Sequence, residues 1–151
     1  MFGKIKQFYR LPFSQKQLFV KICLIVPTIE ILLKFVGFNR TVKLLQFTTK
    51  KTVPEPCHPQ NIINRHRNYL YLYTKQFPFF GKCLAQSLTL WTLLKNKGIQ
   101  TDLKFGMKKN EDKLLAHAWV EYNNVPLASE SEIREKYLFF SESILAKLEN
   151  Q

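Results

Sequence analysis

Cys83 and His117 are the two residues of this chain best placed to do chemistry together. Cys83 opens the stretch CLAQSLTLWTLLKNKGI, where Leu84, Leu88, Trp91 and Leu94 recur at helical spacing, so the thiol falls in the first turn of a helix. His117 lies in KLLAHAWVEYNNVPLAS, a segment that alternates as a strand does. The thiolate is the competent nucleophile. Free backbone N–H groups and the positive dipole end of a helix N-terminus favour it, and a neighbouring imidazolium adds to the effect, giving thiol pKa values of roughly 3.5 to 7.5 in such settings. The same N–H groups can hold the oxyanion of a tetrahedral intermediate. His117 would serve first as base and then as acid towards a leaving amine. Taken alone, the residues also admit an ordinary buried thiol and a hydrogen-bonded core histidine.

The other reactive side chains read differently. Cys57 and His58 are adjacent in KKTVPEPCHPQ, but no second pair stands at metal-ligand spacing, so an exposed linker is expected rather than a metal site. His66 lies on the apolar side of QNIINRHRNYLYLYTKQ and reads as a partly buried or flanking ring. Gln76, seven residues before Cys83, is either a second oxyanion donor or a residue at a helix end. Trp91 and Trp119 supply core volume; Trp119, two residues from His117 on the same strand face, could instead wall a site.

The elements that must position these groups follow from pattern. Ser14 is placed as a helix N-cap with Gln17 as its capping-box partner and Phe13 and Leu18 as the hydrophobic staple. That helix is expected to continue past Pro27 with a kink and to stop at Gly37, and Asn39 to cap a second helix through Phe47. Pro54, Pro56 and Pro59 make the next stretch an extended connector. A helix over residues 60–76 ends at Pro78. The Cys83 helix ends through Lys95 and Lys97 at its carboxyl terminus and Gly98 in the left-handed position, with Ile99 set to contact Leu94.

TDLKFGM then reads as a half-buried strand, KKNED as a loop, and LLAHAWVEY as a second strand with Leu115, His117, Trp119 and Glu121 on one face. Asn123-Asn124 suits a two-residue hairpin turn, because Asn tolerates positive φ. Val125 to Ser129 would return as a third strand, and the tail would form one or two covering helices. The fold class is α+β: helices first, then a small antiparallel sheet. The expected organisation is a single domain over 1–151, with an N-terminal helical part (1–48), a Pro-rich connector (49–60) and a catalytic core (61–151).

Composition bounds the function. A chain of 151 residues with 46% hydrophobic content is long enough for one folded domain that buries roughly two-thirds of its unfolded surface. Its net charge of +12 suits acidic peptides, anionic lipid or nucleic acid. The basic residues are dispersed and accompany no zinc-finger or RNA-recognition signature, so nucleic acid is not expected. Three cysteines cannot all pair internally, and no secretory signal is recognised, so reduced thiols in a cytoplasm are expected. The apolar segment from Leu18 to Phe38 contains Lys21, Glu30, Lys34 and Pro27. Each such charge at a helix centre costs roughly 2.5 to 3.5 kcal/mol on insertion, which favours a buried or interfacial helix over a span. Peripheral attachment to an anionic membrane surface, at the inner membrane face, stays open.

CLAQSLTLWTLLKNKGI, a following strand, and AHAWVEYNNVPL together resemble the lasso-peptide maturation peptidases, the C-terminal, transglutaminase-like domain of the so-called B proteins. YRLPFSQKQ and the apolar helix after it resemble that family's beginning, so the likeness covers most of the chain. It implies a papain/transglutaminase-like cysteine-protease core that removes the leader of a ribosomally made precursor peptide, with Cys83 as nucleophile and His117 as general base. No cofactor is implied. The implied partners are the precursor leader, a separate leader-recognition protein and an ATP-dependent cyclase. The family commonly carries an Asp twelve residues after the histidine, and this chain has Ser129 there, with Glu130 next. Counting outward from the Asn123-Asn124 turn pairs Tyr122 with Val125 and His117 with Glu130, so Glu130 is the candidate to orient the imidazole. Glu121 shares the face but is four residues along the strand, roughly 13 Å away. The competing readings are a non-catalytic leader-binding or membrane-surface module and a thiol-based acyltransferase.

Overall fold

The structure is a computed structural model that describes residues 13–49, 53–78, 82–110, 113–127 and 138–139. Among the described residues four helices come first: α1 (Phe13–Phe35), α2 (Phe38–Thr48), α3 (Pro59–Gln76) and α4 (Cys83–Lys95). The strands β1 (Asp102–Asn110), β2 (Lys113–Tyr122), β3 (Val125–Pro126) and β4 (Leu138–Phe139) follow, in an antiparallel sheet of order β3-β2-β1-β4. This is the α+β plan that the sequence pattern gives.

The helix boundaries depart from expectation in instructive places. α1 already includes Phe13, so Ser14 lies within its first turn rather than ahead of it. α1 runs through Pro27 without a break, and Gly37 (φ 88°) ends the connection. Gly37, not Asn39, is the N-cap of α2, and the Thr41 hydroxyl donates to its carbonyl at 2.7 Å. The reason is that a glycine already turned to positive φ both leaves one helix and opens the next, so Asn39 falls inside α2. Pro59 occupies the first position of α3, where its missing N–H costs nothing.

α4 is the centre of the molecule. It packs against α1, α2, α3, β1 and β2, and every residue from Ser87 to Leu94 is buried. The sequence stripe Leu84, Leu88, Trp91, Leu94 therefore understates its burial. Polar positions on the other faces are satisfied within the helix: Thr89 and Thr92 donate to the Ala85 and Leu88 carbonyls at 2.7 Å each. Its exit follows the expected pattern. Gly98 has φ 79°, and the Ile99 N–H bonds back to the Leu94 carbonyl at 3.1 Å with Ile99 wholly buried. Gly98 has a second reason to be glycine, since an added Cβ would sit 2.5 Å from the Pro54 carbonyl oxygen of the connector.

The sheet is longer and more regular than the polar residues suggest. β1 continues through Asn110, which pairs with Lys113, so the Lys108–Asn110 part of KKNED is strand and not loop. The backbone register with β2 runs on through these residues whatever their charge, Lys108 opposite Leu115 and Lys109 opposite Leu114. The hairpin turn is as the Asn pair requires, with φ 51° and 62° at Asn123 and Asn124 and Tyr122 opposite Val125. Leu138–Phe139, in the tail read as helical, is a strand against Gly106 and Met107 of β1. The remainder of that tail lies outside the described residues.

Candidate active site

The N-cap residue of α4 makes no side-chain cap. Lys82 at the N-cap offers no acceptor, and the first intrahelical bond runs from Gln86 N–H to the Lys82 carbonyl at 3.1 Å. The N–H groups of Cys83, Leu84 and Ala85 therefore have no intrahelical acceptor. What fixes the entry is α1: the Glu30 carboxylate accepts the Lys82 N–H at 2.9 Å. This contact, 52 residues apart in sequence, holds the backbone immediately before the nucleophile candidate.

Cys83 is half-buried at this helix end, and its thiol is held below the ordinary thiol value. The main cause is a hydrogen bond with the His117 imidazole. Burial opposes it, while the Ala118 and Leu84 N–H groups and the charge interaction with His117 reinforce it. Each of these stabilises the thiolate, the form that attacks carbonyls. Burial pushes the Cys23 thiol up, the opposite direction. Cys57 lies exposed in the connector beside an exposed His58.

β2 supplies the other half. Across β1 the residue opposite His117 is Gly106, which sets no side chain against the ring. On the strand face His117 stacks on Trp119, with ring centroids 6.2 Å apart and planes 18° apart. Trp119 is buried, and its Nε1–H donates to the buried Glu121 carboxylate at 2.9 Å. Glu121 is too distant to touch His117 directly, yet it fixes the ring against which His117 lies. The i, i+2, i+4 spacing of His117, Trp119 and Glu121 carries this signal, and reading Glu121 only as a direct partner misses it.

Ala118 joins the two halves. Its N–H and C=O face the same sheet edge as those of Val120, whose carbonyl accepts the Leu127 N–H at 2.7 Å. At Ala118 that edge meets α4 instead: the N–H bonds the Cys83 sulfur, and the carbonyl accepts the Ser87 hydroxyl at 2.8 Å. Cys83 and Ser87 are one helical turn apart, so one face of α4 grips one residue of β2. Ser87 is a residue whose role sequence reasoning missed, although the i, i+4 spacing from Cys83 pointed to a shared face. Ser129 and Glu130 lie outside the described residues.

The other sequence candidates lie on α3 and α4. Gln76 is exposed at the last residue of α3. His66 is buried in α3, with Nδ1 2.7 Å from the Ile62 carbonyl, and burial lowers its pKa. Trp91 is core and lies beneath the Lys95 ammonium at 4.8 Å.

A thiol with a lowered pKa at a helix start, hydrogen-bonded to an imidazole on an adjoining strand, is equipped for acyl chemistry. No curated protein and no solved structure matches the chain. Residues 26–139, which take in α4, both long strands and the Cys83–His117 contact, match the transglutaminase-like superfamily, and the chain belongs to it.

Proposed function

We propose that the protein is a cysteine peptidase that removes the leader from a ribosomally made, lasso-type precursor peptide. The observation that carries the peptidase part is the hydrogen bond between Cys83 and His117 at the start of α4, with the thiol pKa lowered. The likeness of CLAQSL and HAWVEYNNVPL to the lasso maturation peptidases supports the substrate class.

In the proposed reaction the Cys83 thiolate adds to the scissile carbonyl, and helix N-terminal N–H groups receive the oxyanion. His117 delivers its proton to the departing amine as the C–N bond breaks, leaving a thioester on Cys83. His117 then takes a proton from water, hydroxide adds to the thioester, and the carboxylate leaves as the thiol is restored. Glu130 is proposed to orient His117, Trp119 to wall the site, and Gln76 to act as a further oxyanion donor. The partners proposed are the leader, a separate recognition protein and an ATP-dependent cyclase, in a cytoplasmic setting.

The test is incubation with a lasso-type precursor and its recognition protein, followed by mass spectrometry. A leader fragment that is absent with Cys83→Ala supports the proposal. An intact precursor in the presence of an alkylatable Cys83 contradicts it. Transfer of the acyl group to an added amine, with no hydrolysis product, would identify an acyltransferase instead.

A further inference from the structure

α1 carries two apolar faces, and among the described residues only one has a partner within the fold. Ile22, Val26 and Ile29 enter the core. On the opposite side Val20, Leu24, Ile31 and Phe35 are 51%, 64%, 57% and 77% exposed. At roughly 100° per residue these four span an arc of about 60° on the helix surface. Lys21 borders the arc on one side, and Lys16 and Lys34 border it on the other. Thr28, at the edge of the arc, turns its hydroxyl back to the Leu24 carbonyl at 2.7 Å and so presents no unmet polar group.

The charge in this part of the sequence is nearly all of one sign. Residues 1–50 contain nine Lys or Arg and a single acid, Glu30, so this third of the chain carries +8 of the total +12. Glu30 is committed elsewhere, to the Lys82 N–H. The neighbouring helix repeats the composition, with Leu44 and Phe47 exposed beside exposed Arg40 and Lys43. Among the described residues no helix is long and apolar enough to cross a membrane, and the far face of α1 is already engaged by the core.

We infer that the outer face of α1 docks on an anionic lipid surface, lying in the plane of the interface. An apolar stripe with lysines on both borders suits that occupant. The aliphatic and aromatic side chains enter the headgroup boundary to roughly 5–10 Å, and the lysine stems run along them while the ammonium groups meet lipid phosphates. A protein groove complementary to this face would need acids along both borders; a bilayer rich in anionic headgroups supplies them without specific geometry. The inference is independent of the peptidase reading.

The experiment is co-sedimentation of the full chain with vesicles, using an equimolar mixture of phosphatidylglycerol and phosphatidylcholine, or phosphatidylcholine alone. Binding is expected only to the mixed vesicles and is expected to fall as salt rises. A variant combining Leu24→Asn, Ile31→Asn and Phe35→Asn should lower partitioning at least about tenfold, as should Lys21→Glu with Lys34→Glu. Both variants change exposed positions, so circular dichroism and Cys83 alkylation should match the parent protein. Three results would overturn the inference: equal binding to both vesicle types or to neither, unchanged binding by the apolar variant, or a lipid-free dimer that the apolar variant abolishes.

Discussion

Replacing Ser87 by Ala tests whether the grip of α4 on Ala118 sets the reactivity of Cys83. The Ser87 hydroxyl is buried and donates to the Ala118 carbonyl at 2.8 Å. Its loss removes one neutral hydrogen bond, worth about 1 kcal/mol net, and leaves a carbonyl in a buried residue short of a partner, at about 1–3 kcal/mol. The two overlap, so the expected destabilisation is about 1–3 kcal/mol, or roughly 2–10 °C in Tm for a domain of this size. The Ala118 N–H, which supports the Cys83 thiolate, belongs to the same residue. Freeing its carbonyl should therefore raise the pH at which Cys83 becomes reactive. The assay pairs urea unfolding, followed by tryptophan fluorescence, with iodoacetamide labelling of Cys83 across pH. Thr89→Val is the control, since the Thr89 hydroxyl bonds only within its own helix, to the Ala85 carbonyl. It should leave the Cys83 titration unmoved. Parent-like stability and an unmoved titration in Ser87→Ala would refute the reasoning.

Three further predictions rest on single contacts. Gly98→Ala must adopt φ near 79° and bring a Cβ to 2.5 Å from the Pro54 oxygen, so it should cost more than about 2 kcal/mol in urea unfolding. His66 has a lowered pKa, mainly through burial, so the unfolded chain takes up its proton first. Its contribution to stability is present above about pH 6.5 and is lost as pH falls through the folded value, with a slope of up to about 1.4 kcal/mol per pH unit. His66→Gln should flatten that acid limb in unfolding measured at several pH values. Glu30→Ala should loosen the start of α4, costing about 0.5–1.5 kcal/mol, whereas Glu30→Gln keeps a carbonyl acceptor for the Lys82 N–H and should cost less. Amide exchange at Lys82 reads the difference.

Local signals in the sequence carried much of this architecture. The exit of α4 is written in Lys95, Gly98 and Ile99, and the hairpin in Asn123-Asn124, because each depends on backbone conformations that few residues adopt. Pairing Tyr122 with Val125 followed from the same turn. What was not legible depends on partners far along the chain. Glu30 looked like a charge interrupting an apolar helix until the fold set it against Lys82. Ser87 looked like one more polar residue in a helix, since nothing local tells that Ala118 arrives beside it. The all-round burial of α4 was hidden for a similar reason: threonines that bond their own helix can be buried without a distant partner, so a polar pattern does not mark a solvent face. The strand also exceeds the sequence pattern at Lys108–Asn110, where charge suggests a loop but pairing with β2 continues.

The most direct measurement is competitive alkylation of all three thiols across pH, resolved by mass spectrometry, in the parent protein and in His117→Ala. Cys57 is exposed and Cys23 is raised by burial, so they serve as internal references. The expected result is that Cys83 labels well below the pH at which Cys23 does, and that this lead shrinks in His117→Ala because the main support of the thiolate is gone. Equal titration of Cys83 and Cys23 in the parent protein, or a Cys83 profile indifferent to His117, would contradict the account of this pair as an activated nucleophile and its base.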